Sequence, residues 1–244
     1  GLWTEGLHIL LLSGSGLKTV PVKDTKAALP LSSLVCRMVA HISAVIFPLI
    51  IIISVVPGSS LFSWHPTLMA VGASLLMVEG IVIFSKSSSL FPNMSRPTKA
   101  SIHYLLMGGG VSCMIAGLVA IYLNKEQAGK PHFKSWHGLL GVITVGYACA
   151  QSSGGALAKY HKYVGPIIKI RLADLKLYHA TSGLLAYLLV TVTLLLSLQT
   201  SWALTSIHWA LWYASFASVC ASAMVVMTHI TTTYLPLVTG QRSK

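Results

Sequence analysis

Acidic residues are scarce in this sequence: 5 of its 244 residues are Asp or Glu, against 17 Lys and Arg. Charged residues of both signs make up only 9%, whereas 54% of the residues are hydrophobic and the mean hydropathy is +0.73. A soluble domain needs more polar surface than this, so a soluble fold is excluded. The ten-residue alternation of polar and apolar residues that is typical of membrane β-barrels is also missing. The composition therefore predicts a helical integral membrane protein.

Cysteine pairs and targeting signals are missing as well. All four cysteines lie inside apolar runs without Cys-x-x-Cys spacing, which argues against a disulfide framework and a thiolate metal site. Glu5 stands before the short apolar patch at 7–12, where a signal peptide would carry basic residues. We therefore expect residues 1–32 to form a disordered cytosolic tail, with a signal peptide as the weaker alternative. No sorting signal identifies an organelle.

Six apolar runs are long enough to cross the roughly 30 Å hydrocarbon layer as helices. The predicted helices are 34–56, 66–84, 101–123, 137–158, 177–198 and 207–230. Together they define one six-helix transmembrane domain over residues 33–236, followed by a short cytosolic tail at 237–244. Pro66 is expected in the first turn of its helix, where a missing N–H is harmless.

The net charge of +12 is explained by membrane topology. Fourteen Lys and Arg fall on one side of the six predicted crossings and three on the other, namely Lys125, Lys130 and Lys134. By the positive-inside rule, the basic side and both termini are cytosolic. Because the basic residues lie in short loops between apolar runs, we do not expect nucleic-acid binding.

Four histidines stand near the starts of four apolar runs, each beside an aromatic residue. Ser63-Trp64-His65 recurs as Ser135-Trp136-His137, and the other two are His103 and His179. Since consecutive helices are antiparallel, His65 and His137 fall on the non-cytosolic face, and His103 and His179 on the cytosolic face. Two helices on each face are thus placed to hold a flat ligand between two imidazoles.

Haem is the ligand that this arrangement favours, because two axial imidazoles leave iron closed to oxygen and limit it to one-electron transfer. Glycines four or seven positions beyond the histidines share their helix faces and leave room for a porphyrin. These glycines are Gly72, Gly110, Gly141 and Gly183. The alternative interpretation is that they serve close helix packing.

A simpler interpretation of each histidine is a polar residue at the lipid headgroups, beside belt aromatics such as Trp64 and Trp136. The paired faces and similar spacings favour ligation. His41, His208 and His229 lie in the first and last helices, outside the pattern, and are interpreted as packing or interfacial residues. Glu79 is the one acidic residue inside an apolar run. We expect it to form a structural hydrogen bond or a lysine pair, with a role beside a haem as the second possibility.

The motifs at 60–66 (Ser-Leu-Phe-Ser-Trp-His-Pro), 135–137 and 175–183 (Leu-Lys-Leu-Tyr-His-Ala-Thr-Ser-Gly) resemble those of the cytochrome b561 family. The similarity covers about residues 33–236 and is greatest to the animal transmembrane reductases of that family. It implies an all-α fold of six transmembrane helices, in which the second to fifth form a diheme four-helix core. It also implies two haem b groups, with iron bound axially by His65 with His137 and by His103 with His179.

The resemblance further implies an oxidoreductase that takes electrons from cytosolic ascorbate and reduces ferric iron or the monodehydroascorbate radical on the opposite face. It implies an endoplasmic reticulum or vesicle membrane, and a homodimer is plausible within the family. An anionic donor favours basic residues near the cytosolic histidines. The candidates for ascorbate docking are Arg96, Lys99 and Lys176, although topology alone also explains loop cations. His132 and Lys134 are weaker candidates on the other face.

Two other functions remain open from the sequence. One is a ferric reductase whose acceptor is iron alone. The other is a non-haem membrane transporter or structural membrane protein whose histidines line a metal path or border the lipid.

Overall fold

The structure is a computed structural model that describes residues 9–11, 18–20 and 31–238, with side-chain environments for 31–234. Its helices are α1 Leu31–Val55, α2 Leu61–Met69, α3 Met77–Val82, α4 Arg96–Gln127, α5 Trp136–Lys159, α6 His161–Ile168, α7 Leu172–Ser197, α8 Ser201–Ser206 and α9 Trp209–Val238. A π-helical segment, Ala70–Leu76, joins α2 to α3. These three pieces form one continuous second span, Leu61–Val82.

Two short strands lie near the amino terminus, β1 Ile9–Leu11 and β2 Lys18–Val20, and they pair antiparallel. They belong to a separate unit, Gly1–Leu31, while Ser32–Lys244 forms the helical unit. Apart from these strands, the tail predicted over residues 1–32 lies almost entirely outside the described residues. The predicted tail at 237–244 also lies outside them beyond Val238, where α9 ends.

The described part of the helical unit is all-α, and five of its helices are long and apolar enough to cross a membrane. They are Leu31–Val55, Leu61–Val82, Arg96–Gln127, Leu172–Ser197 and Trp209–Tyr234. The helix predicted at 137–158 forms as α5, with 24 residues, but it is not among the five. Its glycines, its serines and Gln151 lower its mean hydropathy. The protein is therefore a multi-pass membrane protein, and the sixth crossing stays a prediction.

Serine side chains set where several helices begin. Ser60 accepts a hydrogen bond from the backbone N–H of Ser63 in a capping box, so the second span starts at Leu61. The prediction that Pro66 lies in the first turn is therefore wrong: the capping box places it inside α2. Ser95 and Ser135 cap α4 and α5 in the same way. Consequently α4 begins five residues earlier than predicted.

The second span packs along α4, and α5 packs along α7. An apolar cluster joins these four helices at mid-height, and it contains Ala73, Met77, Val111, Met114, Val145, Ala148 and Val190. Two further clusters join α1 and α9 to the second span and to α7. The four-helix core that carries the histidines is thus closed on one side by α1 and α9.

Gly72 and Gly110 bring the second span and α4 close together. A Cβ at Gly72 would lie 2.6 Å from the Gly110 carbonyl oxygen, and one at Gly110 would lie 3.0 Å from the Gly72 carbonyl oxygen. These two glycines therefore serve close packing of the second span against α4, as small residues often do between membrane helices.

Gly72→Ala is expected to destabilise the protein, because the added methyl group meets backbone that cannot move without separating the helices. Overpacking of this kind costs about 1–3 kcal/mol, against a gain in helix propensity of at most about 1 kcal/mol. Thermal unfolding of the purified protein in detergent measures the change. Gly146→Ala is the matched control, since no heavy atom lies within 4 Å of the added Cβ. Equal melting temperatures for both variants would contradict this interpretation.

Candidate functional site

The four predicted histidines form two pairs in the structure. The ring centres of His65 and His137 lie 6.1 Å apart, and those of His103 and His179 also lie 6.1 Å apart. His65 and His103 come from the second span and α4, and His137 and His179 from α5 and α7. Each pair therefore joins the two helix pairs of the core, at opposite ends of it.

Three of the histidines use Nδ1 to bind a backbone carbonyl of the neighbouring helix. His65 Nδ1 lies 3.0 Å from the oxygen of Gly117, and His103 Nδ1 lies 2.7 Å from that of Gly80. His137 Nδ1 lies 3.2 Å from the oxygen of Thr193. A carbonyl only accepts, so each Nδ1 carries the proton, and Nε2 is left with the lone pair that binds a metal.

His179 has a side-chain partner instead. Its Nδ1 lies 3.1 Å from Gln151 Nε2, which also lies 2.5 Å from the His179 carbonyl oxygen. Ser182 Oγ donates to Gln151 Oε1 at 2.8 Å. Gln151 Nε2 thus donates both to His179 Nδ1 and to the His179 carbonyl, and it orients this imidazole. His179 differs in this from the other three histidines, whose Nδ1 donates to a carbonyl.

Each helix of the core carries the histidine of one pair and, near its other end, the hydrogen-bond partner for a histidine of the other pair. The second span supplies His65 at one end and the Gly80 carbonyl at the other, while α4 supplies His103 and Gly117 in the opposite order. The helices α5 and α7 repeat this arrangement with His137, Gln151, His179 and Thr193. The partners lie 14 or 15 residues from the histidine of their own helix, which separates the two pairs by about 20 Å along the helix axes.

A cavity of about 270 Å³ adjoins the His65–His137 pair. Most of its lining is apolar, including Phe47, Met69 and Leu194, and Gly141 also lines it. Of the four glycines predicted to accommodate a porphyrin, Gly141 is the one in this cavity. Gly72 and Gly110 pack against each other, and a Cβ at Gly183 would lie 2.9 Å from Gln151 Nε2.

Polar and aromatic residues form the mouth of this cavity. Lys125 and His132 both line it, and Lys125 Nζ donates to the Pro131 carbonyl at 3.0 Å. His132 stacks on Tyr122 with ring centres 4.2 Å apart, and its Nε2 lies 2.6 Å from Glu126 Oε1. Of the two weaker sequence candidates on this face, the structure therefore brings His132 to the cavity.

The three basic candidates near His103 and His179 differ in exposure. Arg96 and Lys176 are exposed, whereas Lys99 is only 6% exposed and donates to the Pro92 carbonyl at 2.9 Å. Lys159 was not predicted as a site residue, yet its Nζ lies 3.4 Å from Ser101 Oγ and 4.8 Å from the centre of the Tyr104 ring. At this end Arg96, Lys159 and Lys176 are exposed, as are Lys86, Lys162 and Lys169.

Arg171 lies close in sequence to Lys176, at the start of α7, but its charge is paired. Its Nε and Nη2 donate to the Asp174 carboxylate at 2.7 and 2.9 Å. This hydrogen-bonded carboxylate raises the pKa of the Arg171 guanidinium above its ordinary value.

Glu79 forms a structural hydrogen bond, the first of the two expected alternatives, and its partner is His41 and not a lysine. Its Oε1 lies 2.7 Å from His41 Nδ1, and His41 Nε2 lies 2.9 Å from the Ser88 carbonyl oxygen. His41 is therefore a hydrogen-bonded partner of Glu79 as well as a packing residue. Trp64, Trp136, Tyr104 and Tyr178 are exposed, as expected of belt aromatics.

Sequence reasoning missed the acceptors of the imidazole protons and the role of Gln151. Backbone carbonyls leave no sequence signal, because any residue supplies one. Gln151 does leave a signal: it is an amide inside a long helix of a membrane protein, and such residues usually have a polar partner. The same argument identified Glu79.

The geometry fits a metal ion held between each pair. Two metal–nitrogen bonds of about 2 Å, with each ring centre a further ~1 Å away, require ring centres about 6 Å apart. Both pairs meet this requirement. Within the described residues no group of three or more His, Cys, Asp or Glu side chains is placed to hold a metal. Two imidazoles suffice for a haem, since the porphyrin supplies the other four nitrogens.

Gly155 provides a second test of fit. A Cβ at this position would lie 2.9 Å from His179 Cε1, so only glycine leaves the imidazole in its place. The chain thus combines a helical membrane fold with two bis-imidazole sites at opposite ends of a four-helix core, an arrangement suited to haem.

Comparison with known proteins agrees with this class. Residues 64–205 match the family described as eukaryotic cytochrome b561. Transmembrane reductase CYB561D2 of Homo sapiens is 40% identical over 196 residues, which cover 80% of this chain and 87% of the relative. Lysosomal membrane ascorbate-dependent ferrireductase CYB561A3 of Mus musculus is 29% identical over 100 residues, or 40% of each chain. This chain belongs to the cytochrome b561 family, which is a haem b-binding family.

Gly155→Ala is expected to displace the His179 imidazole and to lower the haem content of the purified protein to about half. The pyridine haemochrome spectrum, divided by protein concentration, measures this ratio. Gly154→Ala is the matched control on the next residue, because its added Cβ meets no atom within 4 Å. A normal haem content in Gly155→Ala would show that His179 does not hold a haem in this position.

Proposed function

We propose that this protein transfers single electrons across a membrane through two b-type haems. His65 and His137 hold one, and His103 and His179 hold the other. The observation that carries the proposal is the pair of 6.1 Å imidazole separations at the two ends of one helix core. A haem bound by two imidazoles supplies reversible one-electron chemistry. The chain orients the imidazoles, through Nδ1, and excludes water with the apolar cluster between the two sites.

The proposal includes six crossings, with both termini in the cytosol. The helix α5 is less apolar than the other five, but it packs between α4 and α7, two helices that are each long and apolar enough to span. A helix inside such a core tolerates serine, glycine and glutamine because its polar groups meet protein. The excess of Lys and Arg on the side of His103 and His179 supports a cytosolic location for that pair.

Ascorbate is the proposed cytosolic donor. The support is the name of one relative, an ascorbate-dependent ferrireductase, together with the exposed cations Arg96, Lys159 and Lys176 near His103 and His179. An anionic donor is attracted to such a cluster and needs only to approach the edge of a closed haem. Lys99, which donates to Pro92, is assigned to holding the 85–95 connection in place.

The acceptor on the opposite face is ferric iron or the monodehydroascorbate radical. Electrons leave near the mouth formed by Lys125, His132 and Tyr122. We place the protein in the endoplasmic reticulum or a vesicle membrane by family resemblance, and a homodimer is compatible with that family.

Replacing His65 or His103 by glutamine tests the two haem sites separately. Each variant is expected to lose one of two haems, since each haem would be held by two imidazoles and the variant leaves only one of them. The reduced-minus-oxidised spectrum of the purified protein, with haem per chain, measures the loss. His208→Gln is the control, because His208 is exposed and its Nδ1 accepts only the nearby N–H of Ala210. Wild-type protein without a reducible b-type spectrum would support the rival function, a non-haem transporter or structural protein.

Exchanging Arg96 and Lys176 together for glutamine tests the donor. The KM for ascorbate is expected to rise several-fold, with less sensitivity to salt, because solvent-exposed charges act over about a Debye length. The rate is measured in vesicles loaded with chelated ferric iron or supplied with the ascorbyl radical. Comparing the two rates shows which acceptor the protein reduces. Lys130→Gln with Lys134→Gln is the matched control on the other face. An unchanged KM in the first variant would contradict a donor site at these residues.

A further inference from the structure

The hydrogen bonds of His41 and Glu79 determine how many protons the two side chains share. A neutral imidazole has one N–H and one lone pair. His41 Nε2 faces the Ser88 carbonyl oxygen at 2.9 Å, and a carbonyl cannot donate, so Nε2 carries a proton. Nδ1 faces Glu79 Oε1 at 2.7 Å. That contact also needs a proton, either on Nδ1 beside a carboxylate or on the carboxyl beside a lone pair.

Both arrangements contain one proton more than a neutral histidine beside a carboxylate. The pair with this proton has no net charge, and the pair without it has a charge of −1. The side chains of His41 and Glu79 are only 17% and 24% exposed, and in the unloaded state two oxygens would compete for one N–H. The geometry therefore describes a pair in its proton-loaded form.

This pair is connected both to one histidine site and to a small cavity. Gly80, the residue after Glu79, offers the carbonyl that accepts the Nδ1 proton of His103. A cavity of about 100 Å³ is lined by His41 and Glu79, together with Ser89 and Phe91 of the 85–95 connection. Most of its walls are apolar, but His41, Glu79 and Ser89 give a water molecule in this volume polar partners, and such a water can exchange a proton with the pair.

We propose that His41 and Glu79 form a proton-binding site coupled to the electron on the His103–His179 side. The inference rests on the proposed function, since it needs a haem at that pair. When one electron arrives there, the added negative charge makes the pair hold its proton more tightly. A pair that has lost its proton then takes one from water in the cavity. When the electron moves on, the proton is held less tightly and returns to the same water. One electron is thus matched by at most one proton.

Other titratable residues lie on the elements packed around the pair. They are Arg37 on α1, Lys86 in the 85–95 connection, Lys99 and His103 on α4, Tyr187 on α7 and His229 on α9. Among the described side chains, Glu79 is the one carboxylate close to His41. Removing the charge of Glu79 therefore tests the contribution of this pair alone.

The test is a redox titration of the purified, haem-loaded full chain at several pH values, followed by reduced-minus-oxidised absorption spectra. By linkage, a proton held more tightly in the reduced state makes the midpoint potential of one haem fall as pH rises. In Glu79→Gln this fall is expected to disappear for that haem, while the other haem is unchanged. Glu126→Gln is the matched control, because Glu126 forms a similar pair with His132 at the opposite end.

Redox-difference infrared spectra provide a measurement on the wild-type protein. A carboxyl or carboxylate signal that changes with reduction and vanishes in Glu79→Gln is expected. A pH dependence in Glu79→Gln equal to that of the wild type, or a wild-type spectrum without any carboxyl or carboxylate signal, would overturn the inference. A chain without reducible haem would contradict the proposed function itself, so the two failures are distinguishable.

Discussion

The hydrogen bond from each histidine to the neighbouring helix is the interaction on which the rest of the core depends. An imidazole free to rotate would not present Nε2 toward its partner, so the hydrogen-bond partner of Nδ1 decides whether a pair forms. Because each helix of the core supplies a histidine at one end and a hydrogen-bond partner at the other, the helices must keep a fixed register over about 20 Å. Close packing of Gly72 on Gly110 holds this register for the second span and α4.

The register explains the π-helical segment. In α4, α5 and α7, 14 residues separate the histidine from the residue that serves the other pair, which is close to four α-helical turns and keeps both on one face. In the second span the interval from His65 to Gly80 is 15 residues, and the wider turn at Ala70–Leu76 lies between them. A π segment accommodates one extra residue, so it restores the common face that a regular helix would lose.

Much of this arrangement could be predicted from the sequence. The apolar runs placed the helix ends within about five residues, except for the end of α9, which lies eight residues beyond the predicted one. Antiparallel order paired His65 with His137 and His103 with His179, and the structure brings the same residues together. The errors came from groups that leave little trace in a single sequence. Ser60 set the start of the second span and with it the position of Pro66. Glu79 forms the expected structural hydrogen bond, but the sequence did not identify His41 as its partner, because the register between α1 and the second span depends on packing. The bond of Lys99 to a backbone carbonyl leaves no sequence signal either, and ascorbate docking at Lys99 stays a prediction.

The two histidine pairs differ in the groups that set their electrostatics. Around His65 and His137 both acceptors are backbone carbonyls, and Lys125 and His132 line a wide cavity beside the pair. Around His103 and His179 one hydrogen-bond partner is the side-chain amide of Gln151, and the His41–Glu79 pair lies next to Gly80. Hydrogen bonding and nearby charge both tune a haem. Two haems held by the same four-helix plan would therefore differ in potential, and the proton-loaded pair belongs to the side at which the proposed donor delivers its electron.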